Sequence, residues 1–133
     1  MIANTLFPGK PLFAGEGEEI FRMYERKALE EVAEYDDVVV STGGGAPCFF
    51  DNMALMNRTG TTVFLDLPPA ILAGRLLRSK TERPLIKGKT PEELRLFIVK
   101  TLAERRPYYE KARFTITRSE TPAEEIVKLI NHP

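Results

Sequence analysis

The sequence predicts a parallel α/β fold, in which helices cover a sheet of parallel strands. Helical and strand-like segments alternate along the 133 residues in the order α, β, short α, β, α, loop, α, β, α, and this alternation is typical of β-α-β units. The valines at 38–40 show no polar alternation, as expected for a strand that is covered on both faces. Three strands are few for such a sheet, which suggests that something is missing at the amino end.

The helices are predicted from apolar spacing and from capping residues. Residues 16–35 form an amphipathic helix whose core face carries Phe21, Tyr24, Ala28 and Val32, three or four positions apart. Thr90-Pro91-Glu92-Glu93 predicts a capped helix start; this helix runs to about Arg105, and Pro107 then interrupts or kinks it. Three further start signals predict helices. Asp51 caps a helix that runs to residue 57, and Thr121-Pro122 opens the last helix. Pro68-Pro69 opens a helix over residues 70–79, whose core face carries Ile71, Leu72, Leu76 and Leu77.

Three strands are predicted, at residues 36–42, 61–67 and 114–117. The first runs directly into Gly43-Gly44-Gly45, where the absence of Cβ atoms lets backbone approach a bound molecule. In open α/β sheets, ligands bind at this carboxyl edge. The glycines therefore predict either the floor of a ligand site or a tight turn without a ligand.

Composition indicates one domain over residues 1–133, with 43% hydrophobic and 29% charged side chains. No apolar run approaches the roughly 18 residues of a membrane span, and no signal peptide is recognisable, so a cytoplasmic protein without a membrane partner is expected. The single cysteine, Cys48, excludes an internal disulfide. It is interpreted as a small packed side chain, since His132 is the only histidine and lies too near the chain end to activate a nucleophile.

The charges are unevenly distributed along the chain. Residues 1–66 carry five Lys/Arg against eleven Asp/Glu, whereas residues 67–133 carry fourteen against eight. Such an asymmetry indicates an anionic ligand or a nucleic acid on the basic half. The basic residues are scattered at helical spacing, which favours a phosphate-bearing small molecule over nucleic acid.

Three short motifs each allow a functional and a structural interpretation. Phe21-Arg22-x-x-Glu25 places an arginine and a glutamate on one helix face, as a surface ion pair or as part of a site. Residues 80–89 form a cationic, glycine-containing loop that either closes over an anion or is a solvated connector. Gly9-Lys10 is not a phosphate loop, because Asn4 and Pro11 occupy the places of its first glycine and its Ser/Thr.

Taken together, the motifs resemble those of the shikimate kinase family, P-loop kinases of nucleoside-monophosphate-kinase-like architecture. The matches run in family order over nearly the whole chain. They are Phe13 with Gly17-Glu18, Phe21-Arg22-x-x-Glu25, Ser41-Thr42-Gly43-Gly44-Gly45, Asn57-Arg58-x-Gly60, Leu65-Asp66-x-Pro68, Arg83-Pro84-Leu85 and Glu104-Arg105-x-Pro107-x-Tyr109.

The resemblance implies a three-layer α/β/α fold, a monomer, and transfer of the γ-phosphoryl of ATP, with Mg²⁺, to the 3-hydroxyl of shikimate in aromatic amino-acid biosynthesis. It assigns Arg83, in a lid at about residues 80–90, and Arg118, near the adenine, to ATP. The resemblance assigns eight residues to the shikimate site. Glu25 orients Arg22, and Phe13 and Phe21 lie beside the shikimate ring. The full set is Arg22, Glu25, Gly43, Gly44, Gly45, Arg105, Phe13 and Phe21.

The sequence also departs from the family. The family's first strand, its Gly-x-x-x-x-Gly-Lys-Ser/Thr loop and its Asp-x-Asp segment are not found in these 133 residues, so we expect the chain to start after them and to lack the middle strand of the sheet. No catalytic residue and no metal ligand is predicted, and negligible turnover is expected from this chain alone. The alternatives are a non-catalytic shikimate-binding or regulatory module, or a related kinase such as a gluconate kinase.

Overall fold

The computed structural model describes residues 16–78, 88–118 and 120–131, apart from the side chain of Glu16. The chain divides into two compact units, Met1–Thr62 and Val63–Pro133. The lid prediction at about residues 80–90 lies largely outside the described residues. No helix within the described ranges is both long enough and apolar enough to cross a membrane.

In its described part, residues 16–62, the first unit has two helices joined through a short 3₁₀ turn: α1 (Glu16–Val32), the turn Ala46–Cys48, and α2 (Asn52–Thr59). Helix α1 confirms the predicted helix, although it ends three residues earlier. Its predicted core face is only partly right, because Tyr24 is exposed whereas Arg22 and Glu25 are buried. Among its described residues, the buried apolar side chains are Phe21, Ala28, Leu29, Ala46, Met53 and Leu55.

The predicted strand at 36–42 is wrong. Residues 38–43 carry no strand assignment, and the side chain of Val39 is fully exposed, at 101% of its reference area. A strand needs a neighbour that pairs with its backbone groups, and in the described part of the chain the sheet contains only the two strands of the second unit. A run of valines favours extended backbone but cannot supply that neighbour.

The second unit is built on two parallel strands, β1 (Val63–Leu65) and β2 (Phe114–Ile116), with Phe64 opposite Thr115. Both predicted strands are confirmed with shorter bounds. Between them the chain forms α3 (Pro69–Arg78) and α4 (Pro91–Tyr109), and α5 (Ala123–Asn131) follows. The parallel pairing confirms the α/β class, because a parallel pair requires a crossover connection.

Helices α3 and α4 enclose the core of the second unit. Leu94 and Ile98 from α4 pack with Ala73 from α3, and Leu72, Leu76 and Leu102 cover this cluster. The predicted core face of α3 is thus half correct, because Ile71 and Leu77 are exposed. Small Ala73 takes the contact position, which lets the helix axes approach.

Helix α4 begins as predicted but does not end where expected. The Thr90 hydroxyl oxygen accepts a hydrogen bond from the Glu93 backbone N–H at 3.1 Å, and the same hydroxyl donates to the Glu93 carboxylate at 3.0 Å. The helix continues through Pro107 to Tyr109. Two contacts hold this last turn: Tyr109 packs against the ring of Phe64 in β1, with centroids 5.1 Å apart, and Arg106 pairs with Asp66, the residue after β1.

Candidate functional site

A buried ion pair lies on one face of α1. Arg22 donates from Nη1 to the Glu25 carboxylate at 2.9 Å, and the two side chains are 10% and 2% exposed. A salt bridge this deep differs from the surface pair that the spacing alone allows, because desolvated charges require specific partners. The interpretation of Phe21-Arg22-x-x-Glu25 as a surface ion pair is therefore wrong, and its interpretation as part of a site stays a prediction.

Two aromatic rings lie against the Arg22 guanidinium. The ring centroid of Phe49 is 4.2 Å from its central carbon, and that of Phe21 is 5.1 Å away. Both distances fall within the range of cation–π attraction. The Arg22 Nε is buried and has no hydrogen-bond partner among the described residues, and an unsatisfied buried donor of this kind costs about 1–3 kcal/mol.

The triple glycine lies directly against this pair. A Cβ built on Gly45 would stand 2.5 Å from Nη2 and 2.8 Å from Nη1 of Arg22, and a Cβ on Gly43 would stand 3.4 Å from the Glu25 carboxylate. Gly44, between them, is exposed. The sequence motifs at 21–25 and 43–45 thus form one cluster, and a side chain at Gly45 would displace the Arg22 guanidinium from its present position.

The remaining predicted site residues are distributed as follows. Arg105 is half-buried on α4 in the second unit. Arg118 follows β2 and forms an ion pair with Glu125 at 2.6 Å. Phe13 and Arg83 lie outside the described residues. Within the described ranges, no group of three or more Asp, Glu, His or Cys side chains could hold a metal ion.

Three side chains of this cluster were missed by sequence reasoning. They are Phe49, whose ring lies against Arg22, and Asn52 and Arg26, which form hydrogen bonds beside it. Arg26 Nη1 donates to the Asn52 side chain at 3.0 Å, and Asn52 Nδ2 donates to the Ala46 carbonyl at 2.8 Å. Arg26 lies one turn after Arg22, which is the only signal the sequence offers. Nothing in the sequence marks Asn52, whose side chain is completely buried.

A second charged pair lies at the carboxyl end of β1. Arg106 donates to both oxygens of Asp66, each at 3.0 Å, a bidentate geometry that gives strong charge-assisted hydrogen bonds. These hydrogen bonds hold the pKa of Asp66 below its ordinary value, although partial desolvation opposes them. Asp66 and Arg106 also line a cleft of about 440 Å³ with Pro68, Leu102 and Thr117.

These features define an α/β protein in which a confined cation lies beside a glycine turn, as a candidate site for a small anion. Comparison with known proteins gives the family. The family model described as shikimate kinase matches residues 7–132. The shikimate kinase of Bacteroides fragilis is 48% identical over 128 residues, which cover 90% of this chain and 72% of that protein. That of Phocaeicola vulgatus is 58% identical over 102 residues, 77% of this chain and 58% of that protein.

Solved structures give the same result. The crystal structure of shikimate kinase from Bacteroides thetaiotaomicron has a TM-score of 0.77 and 46% identity, over 90% of this chain and 69% of that one. Shikimate kinase from Acinetobacter baumannii in complex with shikimate has a TM-score of 0.72 and 32% identity, over 90% and 68%. The chain belongs to the shikimate kinase family of ATP-dependent kinases that transfer phosphate to shikimate, and it has the P-loop kinase fold.

Proposed function

We propose that the Arg22 cluster holds the carboxylate of shikimate for phosphorylation at its 3-hydroxyl. The observation that supports this most directly is the arginine itself, buried and fixed by Glu25 at 2.9 Å beneath Phe49. A planar guanidinium can bind a carboxylate through two parallel hydrogen bonds.

The glycines and the aromatic rings complete the proposed shikimate site. Gly44, which is exposed, presents backbone to the substrate, Gly43 and Gly45 leave room for Glu25 and Arg22, and Phe21 provides an apolar surface for the shikimate ring. Glu25 holds the guanidinium in place, so that less rotational freedom is lost on binding. From the family resemblance we also propose that Arg105 binds the shikimate carboxylate and that Phe13 packs against the shikimate ring.

For the nucleotide, we propose that Arg118 flanks the adenine of ATP and that Arg83 comes from the closing lid. Arg118 lines a cleft of about 610 Å³ with Pro68, Thr117 and Pro122, and a guanidinium can stack on a flat base. No group of three or more Asp, Glu, His or Cys side chains lies together among the described residues, and we propose that Mg²⁺ arrives with ATP and is held largely by its phosphates. We further propose a cytoplasmic monomer.

The test is calorimetric titration of shikimate into the 133-residue chain and its Arg22→Met variant. Methionine keeps much of the apolar stem but removes every donor. We expect the substitution to weaken binding by at least about 10-fold, because hydrogen bonds to charged groups contribute roughly 1.5–3 kcal/mol each. Circular dichroism of both proteins checks that the helices remain.

Arg95→Met is the matched control, since Arg95 is an exposed arginine on α4, and gluconate is the control ligand. Equal affinity of the unaltered chain and the Arg22→Met variant would overturn the assignment of Arg22. Shikimate-dependent formation of ADP, measured in parallel, separates a kinase from a binding module, because only the kinase consumes ATP.

A further inference from the structure

The segment after the triple glycine, which we call the glycine turn (residues 43–52), places an aromatic ring on Arg22. The Phe49 ring is nearer to the guanidinium carbon than the Phe21 ring, at 4.2 Å against 5.1 Å. Phe21 is the sequence neighbour of Arg22, so its proximity follows from the helix. Phe49 lies 27 positions along the chain, and only the fold of the glycine turn brings it there.

Local hydrogen bonds determine the path of the glycine turn. The backbone N–H of Ala46 donates to the carbonyl of Gly43 at 3.1 Å, and that of Cys48 donates to Gly45 at 3.0 Å. Phe50 has a φ of +51°, a left-handed conformation that costs a residue with a Cβ about 1 kcal/mol. This reversal lets Phe49 face Arg22 while the next residues begin α2.

Asn52 fixes the glycine turn to the helix that carries Arg22. Its side chain is 0% exposed, and its amide uses both ends: Nδ2 donates to the Ala46 carbonyl at 2.8 Å, and Oδ1 accepts from Arg26 at 3.0 Å. Arg26 itself donates to Glu30 at 2.9 Å and to Asp51. Its pKa is raised, chiefly by the Glu30 hydrogen bond, so this anchor stays charged.

We propose that Phe49 is a positioning residue for the carboxylate-binding arginine, and that Asn52 holds Phe49 in place. This inference rests on the proposed function of Arg22. Stacking fixes the plane of the guanidinium, so that its donors point in one direction before the ligand arrives. The carboxylate then binds a guanidinium that is already oriented. The affinity for shikimate therefore depends on Phe49, although Phe49 does not have to touch the ligand.

The experiment compares Phe49→Leu, Phe49→Tyr and the control Phe50→Leu, a neighbouring phenylalanine that is 63% exposed. Shikimate affinity is measured by calorimetry. We expect Phe49→Leu to weaken binding about three- to thirty-fold, the range of a cation–π contact. Tyrosine keeps the ring face, so Phe49→Tyr should restore most of the affinity, and Phe50→Leu should leave it unchanged.

The second measurement is the NMR resonance of the Arg22 Nε–H in protein labelled at arginine. A ring 4.2 Å from the guanidinium shifts this resonance through its ring current, so Phe49→Leu should move the signal and Phe49→Tyr should not. A loss of packing alone would not produce this pattern. Asn52→Asp, which keeps the acceptor for Arg26 but loses the donor to Ala46, should also move the signal and weaken binding about five-fold.

The outcomes separate this inference from the function on which it rests. If Arg22→Met weakens binding but Phe49→Leu binds shikimate as tightly as the unaltered chain, the positioning role of Phe49 is refuted and the proposed function stands. If the unaltered chain does not bind shikimate, or Arg22→Met changes nothing, the proposed function fails and the inference fails with it. An unchanged Nε–H resonance in Phe49→Leu would refute the stacking.

Discussion

At the residue scale, the guanidinium of Arg22 is confined by Glu25 on its own helix and by Gly45 and Phe49 of the glycine turn. Arg22, Glu25 and Gly45 come from two short motifs, and the structure places them in contact. Phe49 and Asn52 could not be predicted, because their contacts depend on how the glycine turn closes on α1. The sequence indicated the neighbouring Asp51 as the helix cap, whereas the side chain that is completely buried is that of Asn52.

Gly45→Ala is the most direct test of this close packing. Gly45 has φ −85°, which alanine adopts without strain, so the substitution changes only the space that Arg22 occupies. The added Cβ would stand 2.5 Å from Nη2, and the guanidinium would have to leave its place beneath Phe49. We expect shikimate affinity, measured by calorimetry, to fall at least about 10-fold, as for loss of a charged hydrogen bond.

Gly43→Ala is the matched control, because its added Cβ would stand at an ordinary contact distance of 3.4 Å from the Glu25 carboxylate. Its effect on affinity should be several-fold smaller than that of Gly45→Ala. Equal losses for the two variants would show that the steric contact with Arg22 is not what makes Gly45 necessary.

At the scale of elements, the helices were predicted well and the strands less well. Helix periodicity and caps are local, so α1 and the Thr90 cap of α4 were recognisable. Strand pairing is not local, and the valines at 38–40 gave a strand pattern without a partner among the described residues. Helix α4 also passes through Pro107, because contacts of Tyr109 with Phe64 in β1 and of Arg106 with Asp66, the residue after β1, hold its last turn.

The exposure of residues 38–40 predicts the effect of a charge there. Val39→Asp should change the free energy of unfolding by less than about 0.5 kcal/mol, as for other surface positions. Leu29→Ala, at a side chain 2% exposed in the core of the same unit, should cost roughly 2–5 kcal/mol. Urea denaturation of both variants measures these values. A loss of several kcal/mol in Val39→Asp would instead support the buried strand.

At the scale of the whole molecule, the α/β class and the family were predictable, because both depend on the order of motifs along the chain. The single domain over residues 1–133 that the composition indicated stays a prediction, because two compact units can belong to one domain. Each unit has its own core, formed around Leu29 and Met53 in the first and around Leu94 and Ile98 in the second. Arg22 and Arg105 belong to different units, and the assignment of Arg105 to shikimate remains a proposal.

The Asp66–Arg106 pair predicts how the stability of the second unit depends on pH. The folded-state pKa of Asp66 lies below its ordinary value of 3.8, chiefly because Arg106 donates to it. The pair therefore stabilises the fold fully above about pH 4, and this contribution is lost as the pH falls through the lowered pKa. Because the Arg106 side chain is 40% exposed, we expect only about 0.5–1 kcal/mol.

Arg106→Gln should therefore be less stable than the unaltered chain at pH 7, and the difference should shrink below pH 4. Urea denaturation at several pH values measures the difference, and hydrogen exchange of amides in β1 and β2 locates it in the second unit. Arg95→Gln is the control, because Arg95 lies 3.8 Å from the exposed Glu92 and should show no such dependence. A stability difference for Arg106→Gln that stays constant from pH 7 to pH 2 would mean that Asp66 titrates alike in the folded and unfolded chains, and that its pairing with Arg106 does not stabilise the fold.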